Sequence, residues 1–266
     1  MTPASDPRPG SDLYDDPSFF ARYQLMRAAR TGLNDELEQP ALARLLLPVH
    51  GASVVELGCG DGALARRLAA AGARDVLAVD SAQRMLALAA RQPHPRVRYR
   101  RHDIETLHLP AGSADCVLSS LAVHYVRDYQ GLIGRVTRWL RPGGQFVFSI
   151  EHPICTAMNP MTSWLTAGEA TVWPVDHYAE ETARAQQWLG STVLKYHRRL
   201  ATIIGVILTA GLTLTGLDEP GPDDDAITRQ PDLAQHRRRP PLLIVAASKL
   251  PQPHARGFRE IPTPGA

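Results

Sequence analysis

Cysteine is scarce in this chain of 266 residues, which carries only Cys59, Cys116 and Cys155. An odd number in a chain this long does not read as a disulfide framework. The three also lack the close paired spacing of a zinc site. Reduced thiols, a cytoplasmic protein and no bound metal are therefore expected. Long apolar runs are lacking too. Residues 203–214 form the most apolar stretch, too short and too interrupted by Gly and Thr to span a bilayer, so no membrane partner is expected. Residues 1–10 are rich in proline and polar side chains, without the apolar core of a secretory signal. Nor is there an excess of charge of one sign: 29 basic and 27 acidic residues leave a formal net charge of +2. A protein that binds a nucleic-acid backbone gains most of its affinity by neutralising phosphates and is usually more basic, which argues against a nucleic-acid partner.

What remains is an ordinary globular composition, 44% hydrophobic and 21% charged, enough for one large domain or one domain with an insertion. Residues 1–12 read as a disordered N-terminus and 13–49 as a helical cap, with Phe19, Phe20, Tyr23, Met26 and Arg27 at near-helical spacing. A core follows over 50–150. Strands are expected at 53–57, 76–79, 97–104, 115–119 and 145–150, with helices at 63–71, 81–91 and 129–140. This alternation predicts an α/β fold, a parallel sheet with helices on both faces. The rhythm stops at 151–193, a segment holding Trp164, Trp173 and Trp188, which reads as an insertion capping one end of the sheet. A late helix at 193–210 and strands at 212–217 and 242–248 complete the core within 194–250. With no helix between them, the last two strands should pair antiparallel at an edge. Residues 251–266 read as a flexible tail.

The chemistry concentrates in Glu56-Leu57-Gly58-Cys59-Gly60-Asp61-Gly62. Glycines after a strand and before a helix let the backbone turn sharply and approach a ligand, and the helix N-terminus offers free N–H groups. Asp80 ends the next strand, 18 residues after Gly62, where an acid can accept hydrogen bonds from both hydroxyls of a ribose. On these features alone a dinucleotide site and an S-adenosylmethionine site both remain open.

The motif from Val54 to Gly62 resembles the first motif of class I S-adenosylmethionine-dependent methyltransferases, and the resemblance runs on in order. Val79-Asp80 matches the ribose-binding acid, and His102-Asp103-Ile104 the acid-plus-apolar pair at the adenine. Asp115 to Ser120 matches the fourth strand beside the methionine part, and Leu140-Arg141-Pro142-Gly143-Gly144 the turn into strand five. The family implies a seven-stranded Rossmann-like sheet with an antiparallel last strand. It implies S-adenosylmethionine as cofactor, held by Glu56, Gly58, Cys59, Gly60, Asp80 and Ser81. Met85, Asp103, Ile104, Ser119, Ser120, His124 and Arg27 would add to that set, with Tyr14 and Tyr23 folding over the cofactor as a lid. A narrower resemblance, to a small-molecule branch, rests on Tyr14-Asp15-Asp16, Tyr23 with Arg27, Ser149 to Pro153, Lys195-Tyr196-His197-Arg198-Arg199 and Glu219-Pro220. Arg199 stands where that branch commonly has threonine, which puts a hydroxyl role there in doubt.

Ligands bind at the carboxyl ends of such strands. His124, Tyr14, His152 and His197 are the candidate proton-handling residues. Tyr125, His152, Trp164, Trp173, Tyr178, His197 and Arg198 are the candidate acceptor contacts. Each has a plainer alternative: His152 bonding a turn carbonyl, Tyr125 and a tryptophan serving as core, or His197 and Arg198 pinning the insertion through Glu151 or Glu219. The expected reaction is methyl transfer to the O, N or C of a small aromatic or nitrogen-containing metabolite, such as a phenol or indole, by a monomer or homodimer. The arginine runs at 96–101 and 237–239 read as solvated surface. Transfer to RNA or protein, a nicotinamide oxidoreductase using the same loop, and a non-catalytic cofactor-binding relative are the competing readings.

Overall fold

The computed structural model describes residues 13–28 and 32–251. The expected disordered N-terminus, and the expected tail beyond Pro251, lie outside the described residues. Five parallel strands carry the first half of the chain: β1 (Ser53–Leu57), β2 (Asp75–Asp80), β3 (Val97–Arg101), β4 (Ala114–Ser119) and β5 (Leu140–Glu151). With β10 (Leu212–Asp218) and β11 (Leu242–Lys249) they make one seven-stranded sheet in the order β10-β11-β5-β4-β1-β2-β3. β11 runs antiparallel to both neighbours, the pairing expected for the last two strands, although a short helix does lie between them. All five residues of β1 are buried, so this strand reads as a continuous apolar run with one acid, Glu56, inside it.

Helices cover both faces. α3 (Ala63–Ala70) and α4 (Gln83–Ala89) follow β1 and β2. α5 (Tyr129–Trp139) turns Tyr129, Leu132, Ile133, Val136 and Trp139 inward, the i, i+3, i+4, i+7 stripe that lays a helix on a sheet. Asp128 caps its start by accepting from the Gly131 N–H at 2.9 Å. Strand order reverses between β1 and β4, and a crevice opens beyond the carboxyl ends of the strands at such a reversal. Among the described residues no helix is long and apolar enough to cross a membrane.

The N-terminal segment forms α1 (Pro17–Ala28), then a π-turn (Asn34–Glu38) running into α2 (Gln39–Leu45). The expected insertion is more regular than its sequence suggested. A one-turn α6 (Pro153–Thr156) leads to two hairpins, β6 (Leu165–Ala167) with β7 (Ala170–Val172), and β8 (Ala183–Trp188) with β9 (Ser191–Tyr196). The late helix expected at 193–210 is therefore corrected. Residues 193–196 belong to β9, and helix α7 spans only Leu200–Thr209. Leu189 and Gly190 both have positive φ, 48° and 70°, the two-residue turn whose twist suits a hairpin. β-branched Thr192 and Val193 then favour the strand. Val193 is fully buried with Leu13 and Phe19, so the β8–β9 hairpin and α1 share one small apolar roof. Residues 220–241, expected as a loop, hold α8 (Asp224–Arg229) and a 3₁₀ turn (Pro231–Arg237).

Candidate active site

Beyond the strand ends lies one cavity of about 1300 Å³. Its first half is built by the glycine loop. Gly58 has φ 73°, and a Cβ there would stand 2.3 Å from Ala122 Cβ, so only glycine lets the loop pass the β4 end this closely. Gly60 N–H donates to Asp80 Oδ2 at 2.7 Å, and Ala82 N–H to Oδ1 at 2.9 Å. These two bonds fix the Asp80 carboxyl at the crevice mouth. Burial nevertheless raises its pKa, against the pull of the N–H donors. Glu56 is 1% exposed, and its Oε2 has no partner. Burial first, then the charges of Asp80 and Asp61, push its carboxyl up to about 8. An unpartnered acceptor facing a cavity suits a donor or a cation from outside the chain. Cys59, Ser81, Met85, Asp103, Ile104 and Ser120 also line this half.

The lid is anchored by charge. Asp15 accepts from the Gln83 and Arg84 N–H groups at 3.1 and 2.8 Å, at the start of α4. This holds the neighbouring Tyr14 over the cavity. Tyr14 and Tyr23 meet edge to face at 5.0 Å, Tyr23 meets Trp188 at 6.1 Å, and the hydroxyls of Tyr14 and Tyr125 share a hydrogen bond. Arg27 pairs with Asp35 at 2.9 Å and lines the wall.

The second half lies under the hairpins. Lys195, 3% exposed, bonds Glu151 Oε1 and Gln186 Oε1. Burial opposes its charge, yet the Glu151 carboxylate outweighs that and keeps the ammonium pKa above the usual value. Burial likewise opposes the Glu151 charge, and Lys195 brings its pKa down overall. Trp188 and Tyr125 face the ammonium at 5.6 and 6.0 Å. His124 also faces the cavity; burial pushes its pKa down to about 3, so its imidazole is neutral. Trp173, Cys155 and Arg239 close the far wall.

Several sequence candidates fall outside this cavity. Ser119 is fully buried and donates to the Leu57 carbonyl at 2.9 Å, cross-linking β4 to β1. His152 caps α6 by accepting from the Ile154 N–H at 3.1 Å, and its Nε2 meets Glu219 at 2.7 Å. His197 lies between Thr156 Oγ1 at 2.7 Å and the Tyr178 carbonyl at 3.0 Å. Arg198 donates to the Val126 and Arg127 carbonyls and stacks over Tyr129 at 5.0 Å. The Tyr178 hydroxyl accepts from the Leu200 N–H at 3.0 Å. Trp164 is covered by Arg238 at 4.6 Å. These six do not line the cavity, and the contacts named here are to other parts of the scaffold. The pairing proposed for His197 and Arg198 also goes to other residues: Lys195 takes Glu151, and His152 takes Glu219.

Sequence reasoning missed Glu38, Gln39, Gln186 and Arg239. Glu38, fully buried, accepts from Ser120 Oγ at 2.7 Å and Ser149 Oγ at 2.6 Å. It thereby ties the π-turn to the ends of β4 and β5 beside the cavity. An acid buried in a polar stretch leaves no periodic signal. Arg239 sat in a run read as surface.

Residues 55–148 match the family model described as a methyltransferase domain. The chain is 30% identical over 247 residues to a Haemophilus influenzae protein described only as uncharacterized, covering 90% of this chain and 97% of that one. It is 38% identical over 117 residues to the malonyl-[acyl-carrier protein] O-methyltransferase of Pectobacterium atrosepticum, 43% of this chain and 46% of that enzyme. The solved S-adenosylmethionine-dependent methyltransferase of Mesorhizobium loti superposes with a TM-score of 0.76 at 40% identity, covering 82% of this chain and 100% of that one. A seven-stranded sheet with its reversal at the glycine loop, and a close relative across most of the chain, lead to one conclusion: this chain belongs to the S-adenosylmethionine-dependent methyltransferases.

Proposed function

We propose that the enzyme methylates a small molecule with an aromatic or nitrogen-bearing body, taken up in the half of the cavity under the hairpins. The carrying observation is the size and division of the cavity. A single-ligand pocket commonly measures roughly 300–1,000 Å³, and this one is about 1300 Å³. One half is lined by Gly60, Asp80 and Asp103, the other by Tyr125, Trp173, Trp188 and Lys195. That is room for a cofactor and an acceptor side by side.

In this reading Asp80 receives the ribose hydroxyls, Asp103 and Ile104 the adenine, and Glu56 the cationic methionine end. The unpartnered Glu56 Oε2 fits that assignment. When bound, the cofactor supplies a methyl group already activated on a positive sulfur. The chain's part is to hold both reactants at attack distance and keep water out, and such positioning can contribute on the order of 7–11 kcal/mol. Tyr14, Tyr23 and Trp188 form the cover over the reacting centre.

The roof favours a small acceptor over RNA or a folded protein, because both hairpin and lid would have to leave to admit a chain. Three buried, unbridged cysteines suit the reducing interior of a cell. The test is incubation with methyl-labelled S-adenosylmethionine and fractionated cell lysate. Label should enter the low-molecular-weight fraction. Label confined to RNA or protein refutes the proposal.

A further inference from the structure

Under the hairpins the cavity wall holds two cations and one carboxylate, and the carboxylate is taken. Glu151 Oε1 is bonded to Lys195. Arg239 is left over. Its guanidinium stacks on Trp173 at 3.8 Å, its Nη1 reaches the Cys155 sulfur at 2.9 Å, and its buried Nε has no partner. Burial pushes the Cys155 thiol up to about 12, so that neighbour is neutral. Among the described residues no carboxylate makes an ion pair with Arg239. Burial lowers its pKa, against the opposing pull of Cys155 and Glu151. A half-buried cation with no ion-pair partner among the described residues is poised for an anion from outside. Guanidinium is the side chain whose fork best matches a carboxylate.

This wall also offers no group suited to remove a proton. Among the described residues that line it, burial pushes the His124 imidazole down to about 3, and its Nδ1 accepts from the Glu151 N–H at 3.4 Å. Burial raises the phenols of Tyr14 and Tyr125 above their usual range. Glu151 is held ionised by Lys195, which makes it a weak base. His152 and His197, the other candidates, are engaged outside the cavity. Glu56, with its raised pKa, belongs to the cofactor half. General-base catalysis needs a group whose pKa lies near the working pH. An acceptor suited to this wall therefore arrives with its lone pair already free.

We propose that the acceptor is an organic carboxylate, seated on Arg239 and methylated on its own oxygen to give an ester. The proposal rests on the small-molecule reading above and names its substrate class. The acceptor oxygen gives a lone pair to the methyl carbon. The carbon–sulfur bond breaks, and its electron pair returns to sulfur. The negative charge of the acceptor and the positive charge of the sulfonium cancel, and no proton moves. The second Glu151 oxygen, buried and without a partner, repels an anion and welcomes an N–H or O–H. It directs the carboxylate toward Arg239 and leaves the organic body between Trp173, Trp188 and Tyr125.

The test uses the full chain, methyl-labelled S-adenosylmethionine and the low-molecular-weight filtrate of a lysate of the source cells. The labelled product is divided, and one half is treated with dilute hydroxide. An ester releases its label as volatile methanol, and that release is the expected result. Label that survives hydroxide, as an ether, an amine or a carbon-bound methyl, overturns the carboxylate and leaves the small-molecule reading standing. Label that enters only macromolecules, or nothing, overturns both. With the product in hand, Arg239→Gln should raise KM for the acceptor by roughly tenfold or more, with a smaller change in kcat. Arg239→Lys, which keeps the charge, should recover part of the loss. Circular dichroism establishes that both variants fold. An unchanged KM in Arg239→Gln removes Arg239 from the site.

Discussion

Glu56 makes an unusual demand on the fold. Its carboxyl is buried at the end of the central strand, with Oε2 unpartnered and its pKa pushed up from 4.5 to about 8, by burial first and then by Asp80 and Asp61. For an acid whose folded pKa is raised, the folded chain keeps its proton while the unfolded chain loses it. Stability therefore falls as pH rises above 4.5 and levels off above about 8. Between pH 4.5 and pH 7, at ~1.36 kcal/mol per pH unit, the loss from this one group is about 3 kcal/mol. The variant Glu56→Gln removes it. The amide has its own fixed packing and hydrogen-bonding cost, but that cost does not vary with pH and drops out of the comparison. Asp80 keeps its own burial-driven shift in both proteins. Urea unfolding of both, without cofactor, should give stability curves separated by a constant offset at low pH. By pH 7 the variant should have gained about 3 kcal/mol on the parent relative to that offset. Parallel curves from pH 5 to 8 would refute the argument. The same proton reports on binding. If a cationic cofactor restores the charge on Glu56, its binding at pH 7 releases close to one proton, read by calorimetry in buffers of different ionisation enthalpy. In Glu56→Gln that release should vanish and affinity should fall.

Three further perturbations separate site from scaffold. Asp80→Asn should weaken S-adenosylhomocysteine binding by about 10–100-fold in calorimetry, since one charged hydrogen bond contributes roughly 1.5–3 kcal/mol; unchanged affinity removes Asp80 from the site. His152→Ala should lower stability to urea by about 1–2 kcal/mol, from a lost helix cap and a pairing with the half-exposed Glu219. Its kcat should stay close to that of the parent, and a hundredfold fall would make His152 a catalytic base after all. Lys195→Met strands the Glu151 carboxylate and should cost about 3–5 kcal/mol, measured the same way; a loss under 1 kcal/mol would show that water already reaches the pair.

The parts of this molecule that could be read from sequence are those built by neighbours in the chain. Strand, glycine turn and helix from Ser53 to Ala70 form one local unit, and the bond from Gly60 to Asp80 spans only the next crossover. Burial on one face, turn chemistry and the acid after the strand all sit within a few dozen residues. The β8–β9 hairpin was hidden for a different reason. Its turn, Leu189-Gly190, carries a leucine at positive φ, where Asn or Asp is the usual signal. Lys195-Tyr196-His197-Arg198-Arg199 joined onto the apolar run of α7 looked like a single long helix. Only the partner strand, Ala183–Trp188, decides otherwise.

The acceptor half depends on pairings that no window of sequence contains. Glu151 finds Lys195 44 residues on, and Cys155 meets Arg239 across 84. Residue type alone made His152, His197 and Arg198 attractive, because histidine and arginine carry chemistry more often than most side chains. What removes them is occupancy: each already spends its donors and acceptors on the scaffold. The same accounting, applied in reverse, singles out Glu56 Oε2 and Arg239 Nε, which are buried and lack partners. One is a lone acceptor in the cofactor half and the other a lone donor in the acceptor half. Their chemistry is opposite, as the two reactants of a methyl transfer to an anion are opposite: a cation to be held by a carboxylate, and an anion to be held by a guanidinium. The charge that each reactant loses in the reaction is the charge for which its end of the cavity supplies a partner.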